Sequence, residues 1–342
     1  MKKFCILLVL VLLLGLCGCG GDQGGGMKQY NATFLTLFDT VTTILGRAES
    51  EEANTAQAQQ LNDEQLVYHQ LFDIYHDYEG INNLKTVNDQ AGIAPVKVDE
   101  RIIDLLLDCR EYYGLTGGRV NIAMGSVLRL WHEARSDGID DPVNAKLPDA
   151  AALEEAARHV SFDTVIIDEA ASTVYIADPD QSLDVGAVAK GWALQRVAEN
   201  APGGLLISVG GNVFATGPKT ADGTAWVVGI NDPEGGSAYL HTLNITGGAV
   251  VTSGDYQRYY VVDGETYHHI IDPDTLYPAR LWCSVTIVCA DSGLADALST
   301  ALFLLPQAEG QALLDACGAE AMWVDGDGNR FYSPGFESLI KT

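Results

Sequence analysis

The chain has 342 residues, of which 47% are hydrophobic and 19% are charged, so it is long enough to bury one large core or two ordinary ones. Its 20 basic and 46 acidic residues give a formal net charge of −26, which argues against nucleic acid and anionic lipid headgroups as partners. A chain this acidic needs a cation to hold a ligand that carries phosphate.

The N-terminus has the pattern of a bacterial lipoprotein signal. Lys2 and Lys3 precede an apolar run over residues 4–16, which is shorter than the ~20 residues of a membrane span. Gly18 then provides a small residue before a cut, and Cys19 is the predicted lipidated residue. An ordinary secretory signal with incidental cysteines is the alternative.

This pattern divides the chain into three parts. We expect a signal peptide over residues 1–18, a lipidated cysteine with a glycine-rich tether over 19–29, and the folded domain over 30–342. Loss of the two signal lysines leaves 18 basic and 46 acidic residues, a net charge of −28. A doubly acylated cysteine would anchor the domain at the extracytoplasmic face of the cell membrane.

The first half of the domain mixes predicted strands and helices. Residues 34–46 are β-branched and predict a strand, and residues 49–78 carry apolar residues at helical spacing. Residues 81–92 are rich in turn-forming residues and predict a turn. Further helices are predicted over 99–113, 149–159 and 186–199.

The second half is mostly strand. Hairpin-type turns are predicted at Asp222-Gly223 and at Asp263-Gly264. A helix over 294–305 and a short hairpin over 324–336 close the chain. Because strands and helices are mixed without a βαβ repeat, we expect a single α+β domain of mixed antiparallel sheets with flanking helices. The predicted strands are 164–176, 205–217, 225–232, 239–254, 256–272 and 283–290.

The segment DVGAVAKG is the first with chemical content. Asp184 precedes a turn of small residues that includes Ala187, and Lys190 follows at the start of a predicted helix. Small residues let a ligand approach the backbone closely, and a helix N-terminus with a lysine favours an anion. A buried turn explains this segment equally well when it is considered alone.

The segment ISVGGN is the second. Gly210 and Gly211 stand between two apolar runs, which indicates a bulge or a close approach of the backbone. A simple kink in the strand is the more ordinary explanation, so this segment alone assigns no site.

The third segment runs from TSGDYQRYY to HHIIDPDT. It combines hydroxyl, carboxylate, guanidinium and imidazole groups across a turn and a predicted hairpin. His269 could accept a proton near neutral pH. Single residues of this kind are more often solvated side chains. The polar residues are Ser253, Asp255, Tyr256, Arg258, His268, His269 and Asp272.

The fourth segment, ADALSTALF, has the pattern of a buried helix. Asp296 and Thr300 are four residues apart and therefore share one helix face. Carboxylate and hydroxyl oxygens are hard ligands that suit Mg²⁺. Asp296 could also simply cap the helix.

Taken in this order, the four segments closely resemble the ApbE family, the FAD:protein FMN transferases. The resemblance covers residues from about 30 to 335. It implies an ApbE-like, T-fold-related domain, FAD as the substrate and Mg²⁺ as the cofactor.

The resemblance implies where FAD and the metal are held. Asp184 and Lys190 would contact FAD. Because alanine has no side-chain ligand, the backbone carbonyl of Ala187 would hold the metal together with Asp296 and Thr300. Ser299 is adjacent to this set and could contribute a further ligand.

The resemblance also implies a base and a flavin pocket. His269 is the expected base, and Ile270 would line the pocket, with either Tyr75 or Tyr78 packing on the flavin or adenine. Further FAD contacts are implied for Phe38, Asp39, Thr40, Val120, Asn121, Ile122 and Ser253, and a catalytic role for Asp272. Two departures from the family pattern stand out: Asn121 replaces an acid, and Leu276 replaces a glycine.

The implied reaction is transfer of FMN from FAD to a threonine or serine hydroxyl of a partner protein, with release of AMP. The expected partners are extracytoplasmic acceptor flavoproteins such as subunits of membrane redox pumps. Two alternatives remain open: an FAD pyrophosphatase that yields FMN and AMP, and a non-catalytic flavin-binding lipoprotein.

Overall fold

The computed structural model describes residues 26–35, 37–236 and 239–341. The predicted signal peptide, Cys19 and the tether up to residue 25 lie outside these residues. Within the described part of the chain, no helix combines the length and the apolar character needed to cross a membrane.

The described residues form eight α-helices and fifteen strands, and short 3-10 helices fill several of the connections. The helices are α1 (Glu51–Phe72), α2 (Leu84–Asp89), α3 (Glu100–Leu115), α4 (Gly125–Asp140), α5 (Ala150–Ala156), α6 (Ala189–Asn200), α7 (Ser292–Phe303) and α8 (Gln307–Cys317). The strands are β1 (Lys28–Leu35), β2 (Val41–Ala48), β3 (Val96–Lys97), β4 (Val165–Asp168), β5 (Thr173–Ile176), β6 (Leu206–Val209), β7 (Asn212–Ala215), β8 (Trp226–Asn231), β9 (Tyr239–Ile245), β10 (Gly248–Gly254), β11 (Tyr259–Val262), β12 (Glu265–His268), β13 (Ser284–Cys289), β14 (Glu320–Val324) and β15 (Arg330–Tyr332).

One large sheet organises the molecule. Its eight strands lie in the order β1-β2-β6-β7-β10-β13-β14-β15, and every neighbouring pair is antiparallel. Smaller sheets pair β3 with β5 and β4, β8 with β9, and β11 with β12. The predicted α+β fold of mixed antiparallel sheets with flanking helices is therefore confirmed.

Helices α6 and α7 pack against each other, and α7 also lies on strands β10 and β13. Helix α7 is apolar on nearly all sides, and Leu298, Leu302 and Phe303 are completely buried. Burial of each such side chain contributes about 1.5–3 kcal/mol relative to exposure. Asp291 caps the helix by accepting a hydrogen bond from the N–H of Leu294 at 2.7 Å.

Several predicted elements differ from the structure. The strand predicted over 34–46 is interrupted by a 3-10 turn over Leu37–Asp39, and the turn predicted over 81–92 contains α2, which Asn83 caps. Helices α4 and α8 were not predicted. The turn at Asp263-Gly264 joins β11 to β12 as predicted, whereas Asp222-Gly223 lies between β7 and β8, which belong to different sheets.

Candidate functional site

Direct contact between α6 and α7 joins two of the four sequence segments. Gly191 lies against α7 so closely that a Cβ there would be 2.5 Å from Asp296 Cβ and would also overlap the carbonyl oxygen of Ser292. Glycine is therefore the residue that permits this approach. As a result, the start of α6 with Lys190 and the first half of α7 with Asp296 form one site.

The carboxylate of Asp296 is buried and held in a fixed orientation. Its side chain is 6% exposed, and Oδ2 accepts a hydrogen bond from the N–H of Gly191 at 2.8 Å. The ammonium of Lys190 lies 3.9 Å from the same oxygen. Among the described residues, no hydrogen-bond donor is assigned to Oδ1, which leaves that oxygen for another partner.

This donor set fits a hard cation that also binds phosphate. In the described part of the chain, one cluster brings three potential metal-binding side chains within 4.8 Å of one another, namely His159, Asp178 and Asp180. Asp296 does not belong to this cluster. A metal at Asp296 would therefore depend on one carboxylate, neutral oxygens and the substrate. Mg²⁺ is commonly bound by one or two carboxylates together with substrate phosphates and water.

Two serines connect α7 to strand β10. The hydroxyl of Ser299 donates to the carbonyl of Asp296 at 2.8 Å, and Ser253 Oγ lies 2.8 Å from Ser299 Oγ. Because a hydroxyl has one hydrogen, Ser253 is the donor of the second bond. Ser299 is fully buried, so these contacts support the turn that carries Asp296. The metal-ligand role of Ser299 stays a prediction, as do those of Ala187 and Thr300.

Asp184 lies in the loop before α6, where Oδ1 accepts the N–H of Gly186 at 2.8 Å. Loss of water around its carboxylate raises the pKa of Asp184, and the Gly186 hydrogen bond and the neighbouring basic groups His132, Arg258 and Arg135 oppose this rise. A carboxylate beside three basic side chains is well placed to orient the polar groups of a ligand.

The two neighbouring histidines have different roles. His268 is 4% exposed, its Nε2 donates to the carbonyl of Ala279 at 2.7 Å, and its Nδ1 accepts the N–H of Ile270 at 3.2 Å. Both ring nitrogens of His268 are therefore used by the fold. The described partner of the His269 ring is the carbonyl oxygen of Arg258, 3.3 Å from Nδ1, which leaves Nε2 able to accept a proton.

Burial keeps His269 neutral, and the neighbouring basic groups add to this effect. Loss of water around the ring, followed by the neighbouring basic groups Arg258, His268, Lys190 and Arg135, lowers the pKa of His269 to about 3. The imidazole is therefore an unprotonated acceptor at physiological pH. Its interaction with Lys190 places it on the same side of the molecule as the α6–α7 junction.

The FDT segment forms a strained turn against the glycine pair. Phe38 and Asp39 both have positive φ, of 52° and 53°, which costs a non-glycine residue about 1 kcal/mol or more. Gly210 faces Thr40, and a Cβ there would lie 2.5 Å from Thr40 Oγ1. The structure thus places the ISVGGN segment against the FDT segment. Backbone strain of this kind is common at functional sites. His69, which the sequence did not single out, accepts the N–H of Phe38 at 3.3 Å.

The structure separates Tyr75 from Tyr78. The hydroxyl of Tyr78 donates to Asp73 Oδ2 at 2.7 Å, so this ring belongs to the local fold. Tyr75 is 51% exposed and stacks on His132 with ring centroids 5.2 Å apart. Asp184 also affects the pKa of Tyr75, so the ring faces the site. Tyr75 is therefore the better candidate to pack on a ring of FAD.

Other predicted contacts are placed in the core. Val120 and Ile122 are 1% exposed and Ile270 is 5% exposed, so their side chains are largely enclosed by the protein. Asn121 donates to the carbonyl of Val160 and accepts the N–H of Ala123, each at 2.9 Å. These partners give Asn121 a capping role at a 3-10 helix. A ligand contact from these residues stays a prediction.

Asp272 lies in the turn after His269. Its Oδ1 accepts the N–H of Asp274 at 2.9 Å and lies 3.4 Å from Nη1 of Arg119. These contacts give Asp272 a role in the turn, and its catalytic role stays a prediction. Leu276, at the position where the resemblance implies a glycine, has a positive φ of 63°, a conformation that glycine adopts readily.

Two arginines are candidate site residues that the sequence did not single out. Arg135 lies on α4, which was not predicted, and Arg258 was noted only as one of several polar residues in its segment. Both affect the pKa values of Asp184 and His269. The sequence feature that could have indicated a role for Arg258 is its position between Tyr256 and the strand that leads to His269.

Comparison with known proteins agrees with this geometry. The ApbE family profile matches residues 38–323. The FAD:protein FMN transferase of Treponema pallidum is 36% identical over 260 residues, which is 70% of this chain and 70% of that protein. The FAD:protein FMN transferase of Escherichia coli K12 is 25% identical over 353 residues and covers 97% of both chains.

Solved structures share the fold. The ApbE protein of Thermotoga maritima superposes with a TM-score of 0.81 at 29% identity, over 92% of this chain and 100% of that one. The flavin transferase ApbE of Vibrio cholerae has a TM-score of 0.74 at 21% identity, over 92% and 99%. The chain therefore belongs to the ApbE family.

Proposed function

We propose that this protein transfers FMN from FAD to a hydroxyl group of a partner protein. The family membership and the relatives named FAD:protein FMN transferase support the activity. The observation that carries the proposal for this chain is the junction of α6 and α7. It places the Lys190 ammonium 3.9 Å from a buried carboxylate that has an oxygen available for another partner.

The reaction can be written with the residues of this site. The acceptor hydroxyl of a threonine or serine attacks the phosphorus on the riboflavin side of FAD and forms a new P–O bond. The P–O bond to AMP breaks, AMP leaves with the bridging oxygen, and the hydroxyl proton passes to the neutral ring of His269. The product is FMN joined to the acceptor by a phosphoester.

Lys190 and Asp296 supply the electrostatics of this step. Lys190 would hold a phosphate oxygen and stabilise the charge that develops in the transition state. Asp296, Thr300 and the carbonyl of Ala187 would hold Mg²⁺, which when bound acts as a Lewis acid on phosphorus. Positioning and charge would therefore account for most of the catalysis.

The deciding experiment uses the purified full chain with FAD and MgCl₂, with and without the extracytoplasmic domain of a redox-pump flavoprotein subunit. We expect covalent flavin on the acceptor, visible as fluorescence on a denaturing gel, together with stoichiometric AMP. Chelation of the metal should stop the reaction. Free FMN and AMP with no labelled acceptor would support the pyrophosphatase instead, and unchanged FAD would support a flavin-binding protein.

We further propose that the protein is anchored through Cys19 at the extracytoplasmic face of the cell membrane. The apolar run after Lys2 and Lys3 and the small residue Gly18 support this location. An anchored enzyme would meet acceptors that belong to membrane redox pumps. The Cys19→Ser variant should leave the membrane fraction and lose incorporation of labelled palmitate, and retention of both would contradict the anchor.

A further inference from the structure

We call the region around Tyr75, Asp184 and His269 the mouth of the site. Two arginines there form no ion pair with a carboxylate of the described residues. Arg135 lies on α4, and Arg258 lies directly before β11. Five other arginines of the described residues pair with carboxylates: Arg101, Arg119, Arg129, Arg158 and Arg196. Arg110 and Arg280 have no such pair but donate to the backbone carbonyls of Val165 and Thr266. Arg135 and Arg258 differ because they lie together beside the proposed base.

The packing of α4 on β11 brings the two arginines together. Gly138 faces Tyr260, and a Cβ at Gly138 would lie 2.6 Å from Tyr260 Cδ2. Arg135 is three residues before Gly138 and therefore on the same helix face, and Arg258 is two residues before Tyr260. After loss of water around Arg135, the charge of Arg258 is the next cause that lowers the pKa of Arg135, so the two groups repel each other.

A neutral partner holds Arg135 in place. Its Nη2 donates to Nδ1 of His132 at 3.0 Å, and His132 stacks on Tyr75. Because His132 accepts this hydrogen bond, it brings no negative charge to Arg135. Asp184 is the acid that faces both guanidinium groups, and one of its oxygens is hydrogen-bonded to Gly186. The mouth of the site therefore has two guanidinium charges and one nearby carboxylate.

Unpaired like charges that the fold holds together indicate a site for an anion. Arg258 is exposed, and its backbone carbonyl lies 3.3 Å from the ring of His269, so this residue combines access from solvent with closeness to the proposed base. In the proposed function Lys190 already serves the nucleotide phosphates. We propose that Arg135 and Arg258 dock an acidic side chain of the acceptor protein beside the hydroxyl that receives FMN.

This docking site rests on the proposed function and explains how an acidic enzyme selects its acceptor. Its large excess of acidic over basic residues repels an acidic segment over much of the surface, and the two arginines give this mouth a local attraction. Planar guanidinium groups bind a carboxylate in a fixed orientation. The acceptor hydroxyl would thereby be brought to His269 in a defined register.

The test uses two synthetic 12-residue peptides, each with one threonine, that differ by a single Asp→Asn replacement two residues from it. Fluorescence anisotropy measures binding of the peptide to the full chain without requiring FMN transfer. The docking site can therefore be tested even if the protein does not transfer FMN. We expect the aspartate peptide to bind about 5- to 10-fold more tightly. Arg258→Gln and Arg135→Gln should each reduce this ratio towards one, and Arg258→Lys should restore part of it.

Arg129→Gln is the matched control, because Arg129 lies on the same helix and pairs with Glu133 at 2.9 Å. It should leave the ratio unchanged. Equal binding of the two peptides, or binding of neither, would overturn the proposal. So would a weaker affinity for FAD or AMP in Arg258→Gln with the peptide ratio retained, since the arginines would then belong to the nucleotide site.

Discussion

The two sides of the site differ in how completely the fold satisfies their polar groups. At the α6–α7 junction, Asp296 and Ser299 are buried and hydrogen-bonded to fixed partners. At the mouth, Tyr75 and Arg258 are exposed, and the hydrogen-bond partner of the His269 ring among the described residues is one backbone carbonyl at 3.3 Å. The first side is organised before any ligand arrives, and the second keeps its bonding groups for partners.

This contrast has a physical basis. Under the proposed function, the junction would hold a metal and phosphate in a fixed geometry, which requires packing and hydrogen bonds around each ligand. The mouth would receive a macromolecule, so it must stay accessible and cannot satisfy its charges internally. Substitutions at the junction should therefore remove chemistry or stability, and substitutions at the mouth should change affinity and pH dependence.

The largest effect is expected for Asp296→Asn. The amide can still accept the N–H of Gly191, so the fold should be retained while the charge that would hold Mg²⁺ is lost. We expect turnover to fall by about 10³-fold, measured as covalent flavin on the acceptor over time at saturating FAD.

Asp315→Asn on the exposed face of α8 is the control for this variant and should act as wild type. Near-normal turnover of Asp296→Asn across a range of Mg²⁺ concentrations would show that the metal is held elsewhere.

Gly191→Ala should break the junction itself. The added methyl group would overlap the carbonyl oxygen of Ser292 and lie 2.5 Å from Asp296 Cβ, so α6 and α7 must separate. Overpacking of this kind costs about 3 kcal/mol, which urea unfolding would detect.

Gly114→Ala serves as the comparison, because a Cβ at this helical position meets no atom within 4 Å. It should stabilise the protein by about 0.5 kcal/mol. Equal stability of Gly191→Ala and wild type would show that the helices can separate without cost.

His269→Gln should lower kcat/KM by about 10²-fold, since a neutral amide cannot take the acceptor proton. Because the pKa of His269 is lowered to about 3, the wild-type imidazole stays unprotonated as pH falls from 8 to 5. The pH profile of kcat/KM should therefore show no loss centred near 6.5, the usual histidine value.

Arg258→Gln removes the nearest positive charge and should move the acidic limb of that profile to higher pH. An acidic limb centred near 6.5 in wild type would contradict a lowered pKa for the base. His241→Gln, in β9, should leave the profile unchanged.

The smallest effects are expected for substitutions of the two tyrosines, and they show which ring contacts FAD. Tyr75→Ala should raise the KM for FAD about 10-fold through loss of stacking, with little change in stability, because the ring is 51% exposed. Tyr78→Phe should instead cost about 1 kcal/mol of stability, since Asp73 loses a donor at 2.7 Å, and should leave KM unchanged. The opposite pattern would assign the FAD contact to Tyr78.

The sequence predicted the junction better than the mouth, and packing explains why. Helix α7 has an unbroken apolar pattern and an aspartate cap, and Lys190 and Asp296 lie in segments with a family resemblance. Helix α4 contains Gly125 and Gly138, which resemble helix breakers in the sequence. In the structure both are required by close neighbours, the Ser182 carbonyl and the ring of Tyr260.

The sequence pattern also did not predict some local backbone conformations and side-chain contacts. Phe38 and Asp39 adopt positive φ without any glycine to indicate a turn, so the segment resembles a continuous strand. Tyr75 and Tyr78 lie three residues apart, and only the hydrogen bond from Tyr78 to Asp73 distinguishes them. Such differences depend on contacts with distant parts of the chain.

The contact at Gly191 also affects how related genes should be interpreted. The glycine that ends the AKG segment is required by the distance between two helices, so a relative that has lost catalysis but kept its shape will still retain it. Lys190 is not required by this packing, and under the proposed function it serves the chemistry. In genome surveys, we therefore expect the glycine to persist in copies that have lost activity and the lysine beside it to be replaced in them.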